Sequence, residues 1–195
     1  MKNLLKALAL SFCVLLGGCA AFLTGGAVAT GQVAKDHRTS GHMLDDIVLK
    51  ARLTNAYASD VEQRFSKVTT KVNEGRVLLT GFVASEDIIH EAIKIAWEVK
   101  GVKEVISEIN TNDHRTMWDR SKDMVIKSRI KSKYLLRRGF SSANYSVIVT
   151  DRVVYLFGIA DSEAERDVAA DIARRIKGVE RVVNYVILKE DERRV

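Results

Sequence analysis

The chain contains one pattern written twice, and this repeat constrains the fold more than any other feature. The first copy reads V-L-L-T-G-F-V-A-S-E, then a helical run, then K-G-V-K-E-V. The second reads V-Y-L-F-G-I-A-D-S-E, then a helical run, then K-G-V-E-R-V. Matched residues lie 77 positions apart, as do Gly81 and Gly158, or Tyr57 and Tyr134. Matching residues at a constant spacing are typical of tandem domains.

Each copy predicts the same order of elements. An apolar residue recurs every four positions at Leu49, Leu53 and Tyr57, which indicates a first helix. Two strands joined by a tight turn follow, and then a second helix that begins at Ser85 and ends before Gly101. A third strand completes a crossover, which places the second and third strands in parallel. The predicted fold class is α+β: two tandem αββαβ modules, each a three-stranded mixed sheet with two helices on one face.

Several single residues carry further expectations. Gly81 and Gly158 end the second strand of their modules, which predicts a bulge or a close backbone approach. Ser162 and Glu165 have the spacing of a capping box. A module of about 60 residues buries only about 60% of its unfolded surface, so each should be marginally stable alone. We expect the modules to meet through a limited interface.

The N-terminal residues have the pattern of an exported lipoprotein. Lys2 and Lys6 precede a short apolar run, 7–16, that is typical of a secretory signal and too short to cross a membrane. The segment Leu16-Gly17-Gly18-Cys19 resembles the bacterial lipobox, which implies lipidation of Cys19 and cleavage before it. An incidental cysteine after an ordinary signal peptide is the alternative. Ala20 stands where an inner-membrane retention signal would have aspartate, so the resemblance implies the outer membrane.

The predicted organisation follows from the repeat and from this leader. It comprises a signal peptide (1–18), a lipidated cysteine with a flexible tether (19–45), a first module (46–112), a linker (113–121) and a second module (122–191). Removal of Lys2 and Lys6 lowers the net charge from +6 to +4, and a mildly basic protein suits an anionic membrane or nucleic acid. Export argues against nucleic acid. Cys19 is then the single cysteine left, so no internal disulfide is expected.

The αββαβ order, the glycine ending the second strand and the closing K-G-V-x-x-V resemble the BON domain family. The whole chain resembles the dual-BON outer-membrane lipoproteins of Gram-negative bacteria. This resemblance implies phospholipid binding, a role in envelope integrity and a lipid-anchored position facing the periplasm. The family favours an aromatic residue near Val125, and Trp118 in the predicted linker is a candidate to replace it.

Catalytic and metal-binding patterns are missing from the sequence. The four histidines are scattered, and no H-E-x-x-H motif, nucleophile elbow or pair of converging carboxylates is present. Glu86 and Glu163 recur in both copies, but each lies in a first helical turn, where a carboxylate favours the helix dipole. We therefore expect no enzyme activity, no metal and no cofactor.

The two copies of the first helix differ in charge. Residues 122–138 contain seven basic residues and one acidic residue, a net charge of +6. The equivalent residues 45–61 contain two basic and three acidic residues, a net charge of −1. Because the modules share a fold, the fold does not require this difference. An ordinary solvated helix face is one interpretation, and an anionic partner is the other.

A helical wheel at about 100° per residue separates two sides of this second basic helix. Ile126, Ile130 and Tyr134 share the side that faces the core, and the opposite side is apolar with basic borders. That pattern is typical of a helix lying in a membrane interface. The predicted lipid-binding residues are Met124, Val125, Lys127, Arg129, Lys131, Leu135, Leu136 and Arg138.

Two hypotheses about partners remain open from the sequence. In the first, this helix binds an anionic phospholipid membrane, and the first module is nearly silent because its own helix is acidic. In the second, the same basic helix binds an acidic protein of the cell envelope, such as an outer-membrane assembly machine.

Overall fold

A computed structural model describes residues 40–111 and 113–194, so the predicted signal peptide and Cys19 lie outside the described residues. The elements of the first module are α1 (Ser40–Ala58), β1 (Val68–Asn73), β2 (Arg76–Phe82), α2 (Glu86–Glu98) and β3 (Glu104–Asn110). Those of the second are α3 (Met117–Leu136), β4 (Tyr145–Thr150), β5 (Val153–Ala160), α4 (Glu163–Arg174) and β6 (Arg181–Leu188). Short 3₁₀ turns occupy Ser142–Asn144 and Glu192–Arg194.

Both first helices begin earlier than the sequence indicated. Helix α1 begins at Ser40, inside the stretch 19–45 predicted as tether, and α3 begins at Met117, inside the predicted linker 113–121. The cause at α3 is Thr116, whose hydroxyl accepts a hydrogen bond from the Asp119 N–H while the Asp119 carboxylate accepts one from the Thr116 N–H. This reciprocal capping box starts the helix. Aspartate stands where the common capping-box pattern has glutamate or glutamine, which is why the linker was predicted to extend to residue 121.

Each module contains one three-stranded mixed sheet, with β2 or β5 in the centre. The hairpin pairs are antiparallel, with Val72 opposite Val77 in the first sheet and Val149 opposite Val154 in the second. The crossover pairs β2–β3 and β5–β6 are parallel. The αββαβ order and the mixed sheets are therefore confirmed.

The two helices of each module cover one face of its sheet, as predicted. Because side chains alternate along a strand, Val77 and Leu79 of β2 face the helices, and Val154 and Leu156 do so in the second module. The repeated tyrosines join the two helices to each other. Tyr57 donates a hydrogen bond to the Ala92 carbonyl and Tyr134 donates one to the Ala169 carbonyl, each at 2.8 Å.

The repeated aspartates at positions 46 and 123 hold the hairpin turns. In the second module both turn residues, Asp151 and Arg152, have positive φ (49° and 61°) although neither is glycine. The Asp123 carboxylate accepts hydrogen bonds from both of their N–H groups at 2.9 Å. Asp46 does the same for the equivalent turn at 2.8 and 3.1 Å. These buried carboxylates stabilise a left-handed turn that side chains disfavour.

The glycines that end β2 and β5 mark a close backbone approach, as predicted. Gly81 has φ +126°, and a Cβ built there would lie 2.1 Å from the Lys67 carbonyl oxygen. Gly158 has φ +147°, and its Cβ would lie 1.9 Å from the Asn144 carbonyl oxygen. No side chain fits at either position because the obstacle is backbone.

The predicted capping box of α4 is half present. The Ser162 hydroxyl accepts a hydrogen bond from the Glu165 N–H at 3.2 Å. The Glu165 carboxylate does not return to Ser162 and instead accepts a hydrogen bond from the Asp161 N–H at 2.9 Å. The helix start is satisfied, with the glutamate one residue further out than in the reciprocal box.

The other faces of the two sheets pack against each other. A separate apolar cluster contains Leu78 of the first module and Ile148, Tyr155 and Phe157 of the second, all buried. Polar contacts surround it: the Arg76 guanidinium lies 5.0 Å above the Phe157 ring and donates to Glu104 and to the Tyr185 carbonyl. The two sheets therefore share a small apolar cluster of their own, as packed sheets do.

Charged contacts close the edges of this interface. Arg194, near the end of the second module, forms an ion pair with Glu74 of the first hairpin turn at 2.8 Å. Tyr185 donates a hydrogen bond to Glu108 across the interface. The Arg115 guanidinium lies 4.0 Å above the Phe82 ring, next to the start of α3. The modules therefore meet through alternating strand residues of both sheets.

Candidate functional site

One side of α3 packs against the core of the second module. Ile126, Ile130 and Tyr134 are buried in the core of the second module, as their spacing predicted. Asp123 is buried on the same side and holds the hairpin turn. These residues fix the rotation of the helix about its axis. The opposite side of α3 therefore faces away from the module.

This outer side exposes a group of large apolar side chains. The predicted members Met124, Val125, Leu135 and Leu136 have exposed fractions of 72%, 47%, 76% and 79%. Met117 and Trp118, at 78% and 75%, extend the group by one turn because the helix begins earlier than predicted. Apolar residues are normally exposed singly, and six of them along one side of a helix indicate a binding surface.

The outer face of α3 also lacks charge. At about 100° per residue, the positions between these apolar side chains are Ser121, Ser128 and Ser132. Trp118 lies seven residues, or two turns, before Val125 and so shares its side of the helix. The sequence reading placed Trp118 in a linker. Trp118 lies on this face because the Thr116 cap starts the helix at Met117.

Basic residues border the uncharged face. Lys127 and Lys131 lie on one border, one turn apart, and Arg129 lies on the other with Lys133. Lys127 is half-buried and the other three are exposed. Within the described part of the chain, none of these four cations forms an ion pair with a carboxylate. The border therefore presents positive charge that no acid of residues 40–111 or 113–194 neutralises.

The placement of Arg138 differs from the prediction. Helix α3 ends at Leu136, and Arg137 is its C-cap with non-helical φ and ψ of −83° and 117°. Arg138 follows in an exposed turn that contains Gly139 at φ +74°. Its charge stands near the C-terminal end of the outer face, but its side chain does not follow the helical wheel.

The first helix of the first module presents a smaller version of the same face. Leu44, Ile47 and Val48 of α1 are exposed by 65%, 63% and 47%. Leu44 belongs to the part of α1 that precedes the predicted start of the first module at residue 46. The two helices thus share apolar residues on the outer side. They differ at Thr54 and Ala58 of α1, which are Lys131 and Leu135 in α3.

A cleft lies beside the basic border of α3. It has a volume of about 410 Å³ and is lined by Lys131, Tyr134, Leu135, Tyr145 and Ser146, among others. The first module has an equivalent cleft of about 400 Å³. Thr54 and Ala58 occupy in that cleft the positions of Lys131 and Leu135. The second module has therefore gained a cation and a larger apolar side chain at one matched place.

Across 40–111 and 113–194, no group of three or more histidine, cysteine, aspartate or glutamate side chains converges as metal ligands would. In the same residues, no helix combines the length and the apolar composition needed to cross a membrane.

The fold and this surface define a class: a tandem α+β protein whose second module presents an apolar helix face with basic borders. The BON domain family model matches the chain twice, over residues 45–113 and 122–190. The chain therefore belongs to the BON domain family and carries two copies of the domain.

Three relatives show how far this similarity extends. The chain is 42% identical over 131 residues to an uncharacterized protein in the gshII 5' region of Anaplasma centrale, across 67% of this chain and 87% of that protein. It is 32% identical over 178 residues to the outer membrane lipoprotein DolP of Haemophilus influenzae, across 91% and 92%. It is 32% identical over 146 residues to osmotically-inducible protein Y of Escherichia coli, across 74% and 73%.

Proposed function

We propose that this protein is a lipid-anchored component of the outer membrane that docks on anionic phospholipid through the outer face of α3. The observation that carries the proposal is this face itself. Six exposed large apolar side chains and three serines lie between borders of lysine and arginine that pair with no carboxylate of residues 40–111 or 113–194. A helix lying in the plane of a membrane interface needs both features.

The attraction comes mainly from the borders. Lys127, Arg129 and Lys131 each contribute about 1 kcal/mol next to an anionic surface, and less at high salt. The apolar side chains add the area that they bury in the interface, at about 25 cal/mol per Å². Trp118 suits this position because an aromatic ring with a polar N–H favours the boundary between headgroups and acyl chains.

The anchor in this proposal is Cys19. A dual lipid modification, palmitate included, holds a protein stably on a membrane where a single chain is marginal. The relative from Haemophilus influenzae, which aligns with nearly the whole chain, is named an outer membrane lipoprotein. Anchoring would raise the local lipid concentration around α3, so a weak contact suffices to orient the protein. Support of envelope integrity is the role that we assign to this orientation.

The test uses the Cys19→Ser protein in its soluble form. We expect NMR shifts in residues 117–138 with phosphatidylglycerol micelles and none with phosphatidylcholine. Lys127→Glu combined with Lys131→Glu replaces two attractions by two repulsions, about 4 kcal/mol or several hundredfold in affinity. Equal shifts with both lipids would contradict the proposal.

An acidic envelope protein is the alternative occupant of the same face. It would require the same lysines but no lipid, so protein-free vesicles separate the two hypotheses. Binding of the Cys19→Ser protein to pure phosphatidylglycerol vesicles supports the lipid. Failure to bind them, together with intact folding, would favour the protein partner.

A further inference from the structure

The cleft beside α3 brings together one cation and two hydroxyl groups. Lys131 lines it from α3, Ser142 from the 3₁₀ turn and Ser146 from the edge strand β4. Its volume of about 410 Å³ lies in the range of about 300–1,000 Å³ that is usual for clefts holding small molecules. Within residues 40–111 and 113–194, no carboxylate lines this cleft and neither serine hydroxyl forms a hydrogen bond. These three side chains are therefore available to a ligand.

Aromatic rings form the apolar wall of the same cleft. Tyr134 and Tyr145 line it, with ring centroids 5.7 Å apart. The Phe140 ring packs against both, at 4.7 Å from each. Leu135 completes this wall and also belongs to the exposed outer face of α3. The cleft therefore adjoins the surface that we place in the membrane interface.

The first module shows that the fold does not require a cation in this cleft. Its own cleft has nearly the same volume, about 400 Å³, but contains an acid, Asp60, which forms an ion pair with Arg64 at 2.6 Å. Thr54 stands where the second module has Lys131. Two clefts of one size in one topology thus differ in charge, so the lysine is not part of the shared fold.

A difference in core packing places Ser142 in the cleft. Its counterpart in the first module is Phe65, which is buried against Tyr57 with ring centroids 5.2 Å apart. In the second module, the ring that packs against Tyr134 comes from Phe140, two residues before Ser142. The core of the second module therefore needs no aromatic residue at position 142, and a half-buried serine lines the cleft there.

We propose that this cleft binds the hydroxyl-bearing phosphate headgroup of one anionic phospholipid, the chemistry of phosphatidylglycerol. The inference rests on the proposed docking of α3 and extends it from attraction to recognition of one headgroup. Lys131 binds the phosphate as a point charge. The hydroxyls of Ser142 and Ser146 both donate and accept, so they pair with the glycerol hydroxyls. Leu135 contacts the start of the acyl chains, because it belongs to the cleft and to the outer face.

Vesicles of equal charge separate recognition of the headgroup from attraction alone. Phosphatidylserine has the same net charge as phosphatidylglycerol but no hydroxyl in its headgroup. We expect the soluble Cys19→Ser protein to bind phosphatidylglycerol about tenfold more tightly, the effect of two net hydrogen bonds. Ser142→Ala combined with Ser146→Ala should reduce this affinity to that for phosphatidylserine. Ser66→Ala, in the cleft of the first module, is the control and should keep the preference.

A second pair of variants fills each cleft without changing its charge. Ala143 is exposed in the cleft of the second module, and Ser66 is its exposed counterpart in the first. Ala143→Gln should lower the affinity for phosphatidylglycerol about tenfold, because a longer side chain takes the place of the headgroup. Ser66→Gln should bind as the unaltered protein does. Thermal unfolding of both checks that the fold is intact.

The outcomes distinguish this inference from the docking of α3. Equal affinity for phosphatidylglycerol and phosphatidylserine, with weaker binding to phosphatidylcholine, would overturn the cleft and leave the docking standing. A preference for phosphatidylglycerol that survives the variants of the second module would do the same. Binding to neither anionic vesicle would overturn both. A preference lost in those variants and kept in both controls supports both.

NMR with phosphatidylglycerol micelles tests the contact directly. We expect shifts at residues 142–146 in addition to those at 117–138, and none at 65–69 in the first module. Shifts confined to 117–138 would contradict the cleft. Inorganic phosphate at matched ionic strength is the second probe. Equal shifts at residues 142–146 with inorganic phosphate would assign the cleft to free phosphate and overturn the lipid headgroup.

Discussion

The two modules share one fold but differ on both of the surfaces that meet something outside the module. On the sheet face between them, the first module is more polar than the second. The matched pairs, first module before second, are Lys71 and Ile148, Arg76 and Val153, Thr80 and Phe157, and Glu108 and Tyr185. The first helices of the two modules differ in net charge, which is −1 for residues 45–61 and +6 for residues 122–138.

This comparison teaches that duplication has separated two tasks. The αββαβ core needs only the helix-facing residues, so the other faces are free to diverge. The second module combines an apolar sheet face, which binds the first module, with a basic helix, which we assign to the membrane. The first module supplies the polar complement, including Arg76 above Phe157 and Glu108 for Tyr185.

Separating the modules tests the comparison most severely. We expect a fragment of residues 40–111 to stay monomeric, because its freed sheet face carries Lys71, Arg76 and Glu108. A fragment of residues 113–194 should self-associate or lose structure, because it exposes Tyr155 and Phe157. Analytical ultracentrifugation of both fragments measures this difference. A monomeric, folded second fragment would show that the sheet contact is dispensable.

Phe157→Ala is expected to have the next largest effect, on the free energy of unfolding. This ring is completely buried between the sheets and supports the Arg76 guanidinium. Its removal should lower the free energy of unfolding of the whole protein by about 3–5 kcal/mol. The matched change Thr80→Ala should cost about 1 kcal/mol, because it removes little more than one buried methyl group. Urea denaturation of both variants measures the ratio, and equal losses would contradict an asymmetric interface.

The two hairpin turns provide a finer test. Asp123→Ala leaves two N–H groups unsatisfied in a turn whose residues Asp151 and Arg152 are both left-handed without glycine. We expect a loss of about 3 kcal/mol in the free energy of unfolding. Asp46→Ala should cost about 2 kcal/mol, because Gly75 accepts the left-handed conformation without strain. Thermal unfolding monitored by circular dichroism gives both values, and a larger loss for Asp46→Ala would reverse the argument.

The smallest expected effect is a gain in lipid affinity from a substitution in the first module. Thr54 occupies in its cleft the position that Lys131 has in the second. Thr54→Lys places a cation beside the apolar outer face of α1 and should raise affinity for phosphatidylglycerol vesicles by about 1 kcal/mol, or fivefold. Thr54→Gln is the uncharged control. No gain would mean that border charge alone does not distinguish the helices.

Local patterns determined most of the fold from the sequence. The αββαβ order, the parallel crossover pairs and the core positions Ile126, Ile130 and Tyr134 follow from periodicities of four and two residues along the chain. Gly81 and Gly158 follow as well, because a glycine at a strand end marks a conformation or an approach that side chains prevent. The sequence also predicted the difference in charge between the two first helices. It predicted most of the residues on the outer face of α3 as well.

Only the tertiary structure shows which residues pack against these helix and sheet faces. The repeat displayed Asp46 and Asp123, but their role lies in a turn 28 residues further on. Alternation shows that Leu78 and Tyr155 leave the helix-covered face, yet not that the two sheets pack through them. Sequence patterns encode which side of an element is apolar, whereas partners across long chain separations depend on packing.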